Sequence, residues 1–223
     1  MSTNTDLIKA LFDNLVYIGH RTSNWNPKMK PFIYGSKSNV HVFDLEKTAE
    51  ALEKAQKMLA AVKMQGKKAL FVGTKPQVSL ALQEVVGDKH FTVDQKWQPG
   101  LLTNFKEIRR RIDYYLNLKK QFETGEINKY TKKEVSKKAK ELAKLEKMYH
   151  GVGEMRKNPA ILVVLDAVEN RLAIEEAYSA KIPVIAVVDS DGNPDKISVV
   201  IPGNDDSIKS VRFLLENMVK SLA

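Results

Sequence analysis

Short, uninterrupted apolar runs alternate with amphipathic helical segments through most of the chain, and this alternation restricts the possible folds more than any other feature. The runs are residues 68–73, 160–166, 182–189 and 196–201. Such a run is typical of a strand that is buried on both faces of a sheet. Apolar residues fall at helical spacing in residues 45–64, 76–86, 170–180 and 207–222. Strands that alternate with helices predict βαβ units, and therefore an α/β fold with a parallel sheet flanked by helices.

Residues 104–151 interrupt the alternation. Two segments place apolar side chains at heptad spacing: Phe105, Ile108, Ile112, Tyr115 and Phe122, then Val135, Leu142, Leu145, Tyr149 and Val152. Lys119 and Lys138 occupy the skipped positions. Heptad spacing predicts two helices that form an antiparallel coiled-coil hairpin. Because the apolar stripe is too narrow to cover a sheet, the hairpin is predicted to project from a discontinuous α/β domain made of residues 1–103 and 152–223.

Polar residues at three helix starts predict N-caps. Asp44 precedes the helix over residues 45–64, Asn104 is followed three positions later by Glu107, and Thr131 is followed by Glu134 in the same way. The pair Thr131 and Glu134 has the form of a full capping box.

The positive charge is confined to two segments. The chain has 36 lysines and arginines against 27 aspartates and glutamates, which gives a net charge of +9. Residues 14–43 contain no acidic residue and carry a charge of +4, and residues 104–150 carry +7. The rest of the chain is close to neutral. Two segregated basic segments favour a polyanionic partner.

The segment from Gly19 to Pro31 places Trp25 and Met29 among cations in a stretch that is too polar for a core and too rich in Asn and Pro for a helix. Aromatic residues interleaved with cations suit stacking on a folded RNA. The alternative is a loop that packs its tryptophan against the domain. A second loop, at Lys96 and Trp97, has the same character. The predicted RNA-binding residues are Arg21, Trp25, Lys28, Lys30, Lys37, Lys96, Trp97, Arg109, Arg110 and Arg111.

The sequence contains no arrangement of a nucleophile with its base, and it contains no cysteine. We therefore predict that the protein is not an enzyme. The alternative is a nucleotide- or phosphate-binding α/β enzyme that uses the turn Gly73-Thr74-Lys75 and the aspartates at the strand ends. No cofactor is predicted, although His20, Asp189 and Asp205 are candidates to surround a divalent cation. The apolar runs are too short to span a bilayer, so no membrane partner and a cytoplasmic location are expected.

Six motifs occur in order along the chain. They are Gly19-His20-x-Thr22, Trp25 to Met29, Val72 to Lys75, Trp97 with Leu102 to Phe105, Ile182 to Ala186, and Ile201 to Asp206. Together they resemble the bacterial small-subunit ribosomal protein S2 family. The resemblance implies a flavodoxin-like parallel sheet with a projecting coiled-coil hairpin. It also implies a structural, non-catalytic place on the ribosome, where the partners would be small-subunit ribosomal RNA and neighbouring proteins, including the mRNA-binding protein S1. A third interpretation is a coiled-coil adaptor whose hairpin mainly recruits protein.

Overall fold

The computed structural model describes residues 2–222. Its strands are β1 (Ile18–Arg21), β2 (Ile33–Lys37), β3 (Val40–Phe43), β4 (Leu70–Val72), β5 (Phe91–Val93), β6 (Leu162–Val164), β7 (Val184–Val188) and β8 (Val199–Pro202). Its α-helices are α1 (Ser2–Asp13), α2 (Leu45–Met64), α3 (Pro76–Val85), α4 (Phe105–Glu123), α5 (Lys132–Tyr149), α6 (Arg171–Ser179) and α7 (Ile208–Lys220).

Strands β4 to β8 form one sheet in the order β5-β4-β6-β7-β8. The strands of every neighbouring pair run parallel. Counted from the first of the five, this is the order 2-1-3-4-5 of flavodoxin-like doubly wound folds. The prediction of an α/β fold with a parallel sheet flanked by helices is confirmed.

The sheet separates two apolar cores because side chains alternate between the faces of a strand. Phe71 and Val163 belong to the core that includes buried residues of α2, α3 and α7. Leu70, Val72 and Leu162 belong to the core that includes buried residues of α4 and α6. Every residue of β4 and β6 is buried, which explains why the sequence shows continuous apolar runs there.

Two of the three predicted caps are present. The Asp44 carboxylate accepts a hydrogen bond from the Glu46 backbone N–H at 3.1 Å, and Thr131 with Glu134 forms the full capping box. Asn104 makes no side-chain capping hydrogen bond, so that prediction is wrong.

The N-terminal segment, residues 14–43, is a folded unit. Strands β1, β2 and β3 form an antiparallel sheet in the order β1-β3-β2, and a 3-10 helix spans Pro27–Phe32. The Asn26 side chain caps this helix by accepting the Lys28 backbone N–H at 3.0 Å, and Met29 is fully buried. The prediction of a segment without helix and without core residues is therefore wrong. Two prolines and a capping asparagine favour a short 3-10 helix, which suffices to bring one methionine into the core.

The helix pair, α4 and α5, occupies the segment that was predicted to form a hairpin. Ile108, Ile112 and Tyr149 are buried in the same cluster as Leu70 and Val72 of the sheet. The base of the pair therefore packs with the sheet, and the projecting coiled-coil hairpin over residues 104–151 stays a prediction. A narrow apolar stripe is sufficient here because α6 covers part of the same face.

No helix within residues 2–222 is both long enough and apolar enough to cross a bilayer.

Candidate nucleic-acid interface

The crevice at the carboxyl ends of the parallel strands is acidic. Asp166, Asp189, Asp191, Asp205 and Asp206 follow β6, β7 and β8 and converge there around two cationic groups, Lys75 and His20. Doubly wound folds take their ligands at this edge. A phosphate group would meet an excess of negative charge in this crevice.

Lys75 is engaged by three of these aspartates. Its Nζ lies 2.9 Å from Asp166 Oδ2, 2.8 Å from Asp205 Oδ1 and 2.8 Å from Asp206 Oδ1. Burial works against its charged form, but the hydrogen bonds to Asp205, Asp206 and Asp166 outweigh that cost and raise the pKa of Lys75. Burial, reinforced by Asp166 and opposed by Lys75, raises the pKa of Asp205 to about 7. The turn Gly73-Thr74-Lys75 therefore holds a lysine that is committed to carboxylates, which counts against a phosphate-binding loop.

His20 lies at the edge of the same cluster. Its Nδ1 is 2.9 Å from Asp189 Oδ1, and its Nε2 is 3.5 Å from Asp206 Oδ2. The hydrogen bond to Asp189, opposed by burial and supported by the charges of Asp189, Asp191 and Asp206, raises the pKa of His20 to about 9.

One predicted member of the candidate cation site is replaced by another aspartate. His20, Asp189 and Asp191 each offer a ligand atom, and these atoms lie within 4.8 Å of one another. The Oδ1 atom of Asp191 is buried without a hydrogen-bond partner among the described residues. Asp205 instead contacts Lys75. An imidazole with two carboxylates is a donor set that suits Zn²⁺, which would have to displace the proton that the His20 ring holds at neutral pH.

The N-terminal segment offers fewer free cations than the sequence predicted. Lys28 forms an ion pair with Asp195. Arg21, Lys30 and Lys37 are exposed and form no ion pair with any residue in the described part of the chain. The ring of Trp25 is partly buried.

Trp25 packs beside His41, with a distance of 5.1 Å between the ring centroids. The ring is partly packed on the domain and partly accessible. Both interpretations of Trp25, stacking on RNA and packing against the domain, therefore remain compatible with the structure.

Trp97 is an internal anchor. It is 6% exposed, and its indole N–H donates to Glu176 Oε1 at 2.9 Å. The same carboxylate accepts the backbone N–H groups of Gly100, Leu102 and Thr103 at 2.8, 3.0 and 3.3 Å. Burial disfavours the charged carboxylate, but these hydrogen bonds outweigh burial and lower the pKa of Glu176. Trp97 thus has no open face for a base, although Lys96 beside it is exposed.

The three consecutive arginines of α4 have different environments. Arg109 donates to the carbonyl oxygens of Gly153 and Met155, both at 2.8 Å, and its side chain is 13% exposed. Arg110 forms an ion pair with Glu107 at 2.8 Å. Arg111 is exposed and has no ion pair among residues 2–222. The structure therefore leaves only one arginine of the triplet free for a partner.

The free cations of the helix pair are mainly lysines that are not among the predicted RNA-binding residues. Those that are exposed and without an ion pair in the described structure include Lys120, Lys132, Lys133, Lys137, Lys140, Lys144 and Lys147. The prediction was placed on the run of three arginines. Which cations can bind a partner depends instead on whether each one already contacts an acidic group or a carbonyl oxygen.

Comparison with known proteins gives one consistent result. Residues 11–223 match the family model described as ribosomal protein S2. The chain is 41% identical over 208 residues to "Small ribosomal subunit protein uS2" of Tolumonas auensis, covering 93% of this chain and 86% of the relative. Proteins of the same name from Roseiflexus castenholzii and Mesoplasma florum are 39% and 42% identical, each with 93% of this chain and 79% of the relative covered.

Proposed function

This chain belongs to the ribosomal protein S2 family, and we propose that it binds the RNA of the small ribosomal subunit through exposed cations on its N-terminal segment and its helix pair. Its role is that of a structural constituent of the small subunit, not that of an enzyme. The alternative of a nucleotide-binding enzyme is abandoned, because the family is structural and the crevice is acidic.

The observation that supports these contacts is that two segments of the chain present exposed cations without acidic partners. Arg21, Lys30 and Lys37 on one segment and the lysines of the helix pair on another are exposed and unpaired within residues 2–222. Lysine is a compact, mobile charge that suits phosphate more than a base edge. Such contacts fix the position of a protein on folded RNA with little sequence readout.

Reversing two of these charges tests the N-terminal contact. Lys30→Glu with Lys37→Glu is expected to weaken binding to purified small-subunit ribosomal RNA. The slope of log affinity against log salt should become shallower by about 1.4–1.8, since each lost phosphate contact removes about 0.7–0.9. Filter binding over a range of salt concentrations measures both quantities. Lys28 is left unchanged because its reversal would also break the pair with Asp195.

Lys54→Glu with Lys57→Glu is the matched control, because it changes the net charge equally on the exposed side of α2. Equal RNA affinity for the two double variants would refute the N-terminal contact.

The helix pair is proposed to form a coiled-coil hairpin over residues 104–151 that reaches toward RNA and neighbouring small-subunit proteins, among them the mRNA-binding protein S1. The proposed location of the protein is the ribosome in the cytoplasm. A photo-crosslinker placed at Arg111 or Lys120 in assembled subunits is expected to label RNA. Labelling of protein alone would instead support the adaptor interpretation.

A divalent cation is proposed to bind His20, Asp189 and Asp191. Zn²⁺ added at about 100 times its dissociation constant should raise the free energy of unfolding by about 2.7 kcal/mol. Thermal denaturation with and without Zn²⁺ measures the effect, which Asp191→Asn should abolish. Asp13→Asn, an exposed change on α1, should preserve it. Identical Zn²⁺ responses in both variants would exclude this site.

A further inference from the structure

At least one lysine or arginine precedes the amino end of every strand in the parallel sheet. Lys67 and Lys68 precede β4, Lys89 precedes β5, Arg156 and Lys157 precede β6, Lys181 precedes β7, and Lys196 precedes β8. Parallel strands begin at the same edge of their sheet, so these cations meet there although they are scattered along the sequence. We call this set of seven residues the basic edge. It lies opposite the acidic crevice at the carboxyl ends.

Backbone contacts and shared cavities show that members of the basic edge converge. The Ala160 backbone N–H donates to the Lys68 carbonyl oxygen at 3.2 Å, which joins the approach to β6 to the approach to β4. A cavity of about 500 Å³ is lined in part by Lys67, Lys68, Arg156 and Lys157. A second cavity, of about 670 Å³, has Lys181 and Lys196 in its lining.

Most cations of the basic edge form no ion pair. Lys68 lies 3.4 Å from Glu154, and Arg156 lies 3.4 Å from Asp113. The other five cations are exposed, and none has an ion pair with any side chain that the structure describes: Lys67, Lys89, Lys157, Lys181 and Lys196. Lys196 lies over the ring of the exposed Tyr178, 5.7 Å from its centroid.

The pKa of His90 is affected by the positive charge of the basic edge. Burial, followed by the charges of Lys68 and Lys89, lowers the pKa of His90. Its Nδ1 atom is buried and has no hydrogen-bond partner in the described part of the chain. An anion at this edge would offset the positive charge of Lys68 and Lys89.

We propose that the basic edge is a further binding surface for the phosphate backbone of RNA. The inference rests on the proposed function, since it takes the polyanion to be the same small-subunit RNA. Five strands at about 4.8 Å spacing give the edge a length of roughly 20 Å. A nucleic-acid duplex presents one negative charge per ~1.7 Å of its axis, so several phosphates would fall within that length.

The composition of the basic edge favours RNA over a protein partner. Six of its seven cations are lysines. Protein–protein interfaces are depleted in lysine and enriched in arginine, whereas lysine is well suited to phosphate as a point charge.

A purely structural explanation makes a different prediction. Helices that return antiparallel to the strands bring their carboxyl ends to this edge, where cations stabilise the helix dipole. Lys181, for example, directly follows the C-cap of α6 at Ala180. On that explanation, removing the cations lowers the melting temperature and leaves RNA affinity as it was.

The experiment compares two triple variants of the full chain in binding to purified small-subunit ribosomal RNA over a range of salt concentrations. Lys67→Glu, Lys157→Glu and Lys181→Glu remove three unpaired charges from the basic edge. Lys54→Glu, Lys57→Glu and Lys209→Glu make the same change in net charge at exposed positions on α2 and α7. The melting temperature of each variant is measured in parallel.

The basic-edge variant is expected to bind roughly tenfold more weakly than the control variant, with a salt slope shallower by about 2–3. Equal affinity and slope for the two triple variants overturn the inference. Equal affinity together with a lowered melting temperature would show that the cations stabilise the carboxyl ends of the helices. Equal affinity together with poor incorporation of the variant into subunits would show that the basic edge contacts a protein. If the unaltered chain shows no salt-dependent RNA binding, the proposed function itself fails, which is a distinguishable outcome.

Discussion

Glu176→Ala is expected to lower the free energy of unfolding by about 3–5 kcal/mol, because it removes the acceptor for a group of buried and partly buried donors. The carboxylate accepts the Trp97 indole N–H, three backbone N–H groups and the Thr103 hydroxyl. Water cannot easily replace it, since Glu176 is 6% exposed and Leu102 is 3% exposed. Unpaired buried donors cost more than the hydrogen bonds contribute, so the loss should exceed that of an ordinary surface change.

Urea denaturation followed by circular dichroism measures this loss. Glu175→Ala is the matched control, because it makes the same change one position earlier in α6. Glu175 forms a single exposed ion pair with Arg171 at 2.9 Å, and such pairs contribute about 0–1 kcal/mol. If the two alanine variants unfold at the same urea concentration, Glu176 does not organise the loop around Trp97.

Glu176→Gln gives an intermediate test. The amide keeps one acceptor oxygen and the shape of the side chain, but it replaces the other acceptor with a donor that would face backbone N–H groups. We expect a loss smaller than that of the alanine variant and larger than that of Glu175→Ala. A glutamine variant as stable as the unaltered protein would mean that the charge of the carboxylate contributes nothing.

The sheet could be predicted from sequence because its signals are local. A strand buried on both faces must be apolar at every position, and β6 and β7 are apolar throughout. The caps at Asp44 and Thr131 are equally local, since each involves residues no more than three positions apart. Flanking helices follow from the requirement that a buried sheet be covered on both faces.

The environment of the candidate contact residues could not be predicted, because it depends on partners far away in the sequence. Trp97 and Glu176 are separated by 79 positions, and Arg109 reaches carbonyl oxygens at Gly153 and Met155. Nothing near Trp97 distinguishes an indole that anchors a loop from one that stacks on a base.

Charge counted along the chain also missed the basic edge. Each approach to a strand contributes only one or two cations, and aspartates that follow β5, β6, β7 and β8 offset many of them when charge is summed along the sequence. Only the parallel arrangement separates the two signs in space. The outcome for Lys68 and Arg156, which contact acidic residues, shows that a cation's availability is likewise a property of the fold.

Lys75→Met is expected to lower the free energy of unfolding at pH 7 by about 3–5 kcal/mol, because it leaves buried carboxylates without their counter-charge. Asp166 and Asp205 are 0% and 1% exposed, and Lys75 lies within 2.9 Å of both. Lys57→Met, on the exposed side of α2, makes the same chemical change without an ion pair in the described structure and should have little effect.

The pH dependence of that loss separates charge from packing. The pKa of Asp205 is raised to about 7 even beside Lys75, and removal of the lysine should raise it further. A carboxyl whose folded pKa lies above its unfolded value favours the folded state at low pH and loses that advantage as pH rises through the folded pKa. The stability gap between Lys75→Met and the unaltered protein should therefore narrow from pH 7 to pH 5. Chemical denaturation at several pH values measures it, and a gap that stays constant would show that the missing ammonium matters for its volume and not for its charge.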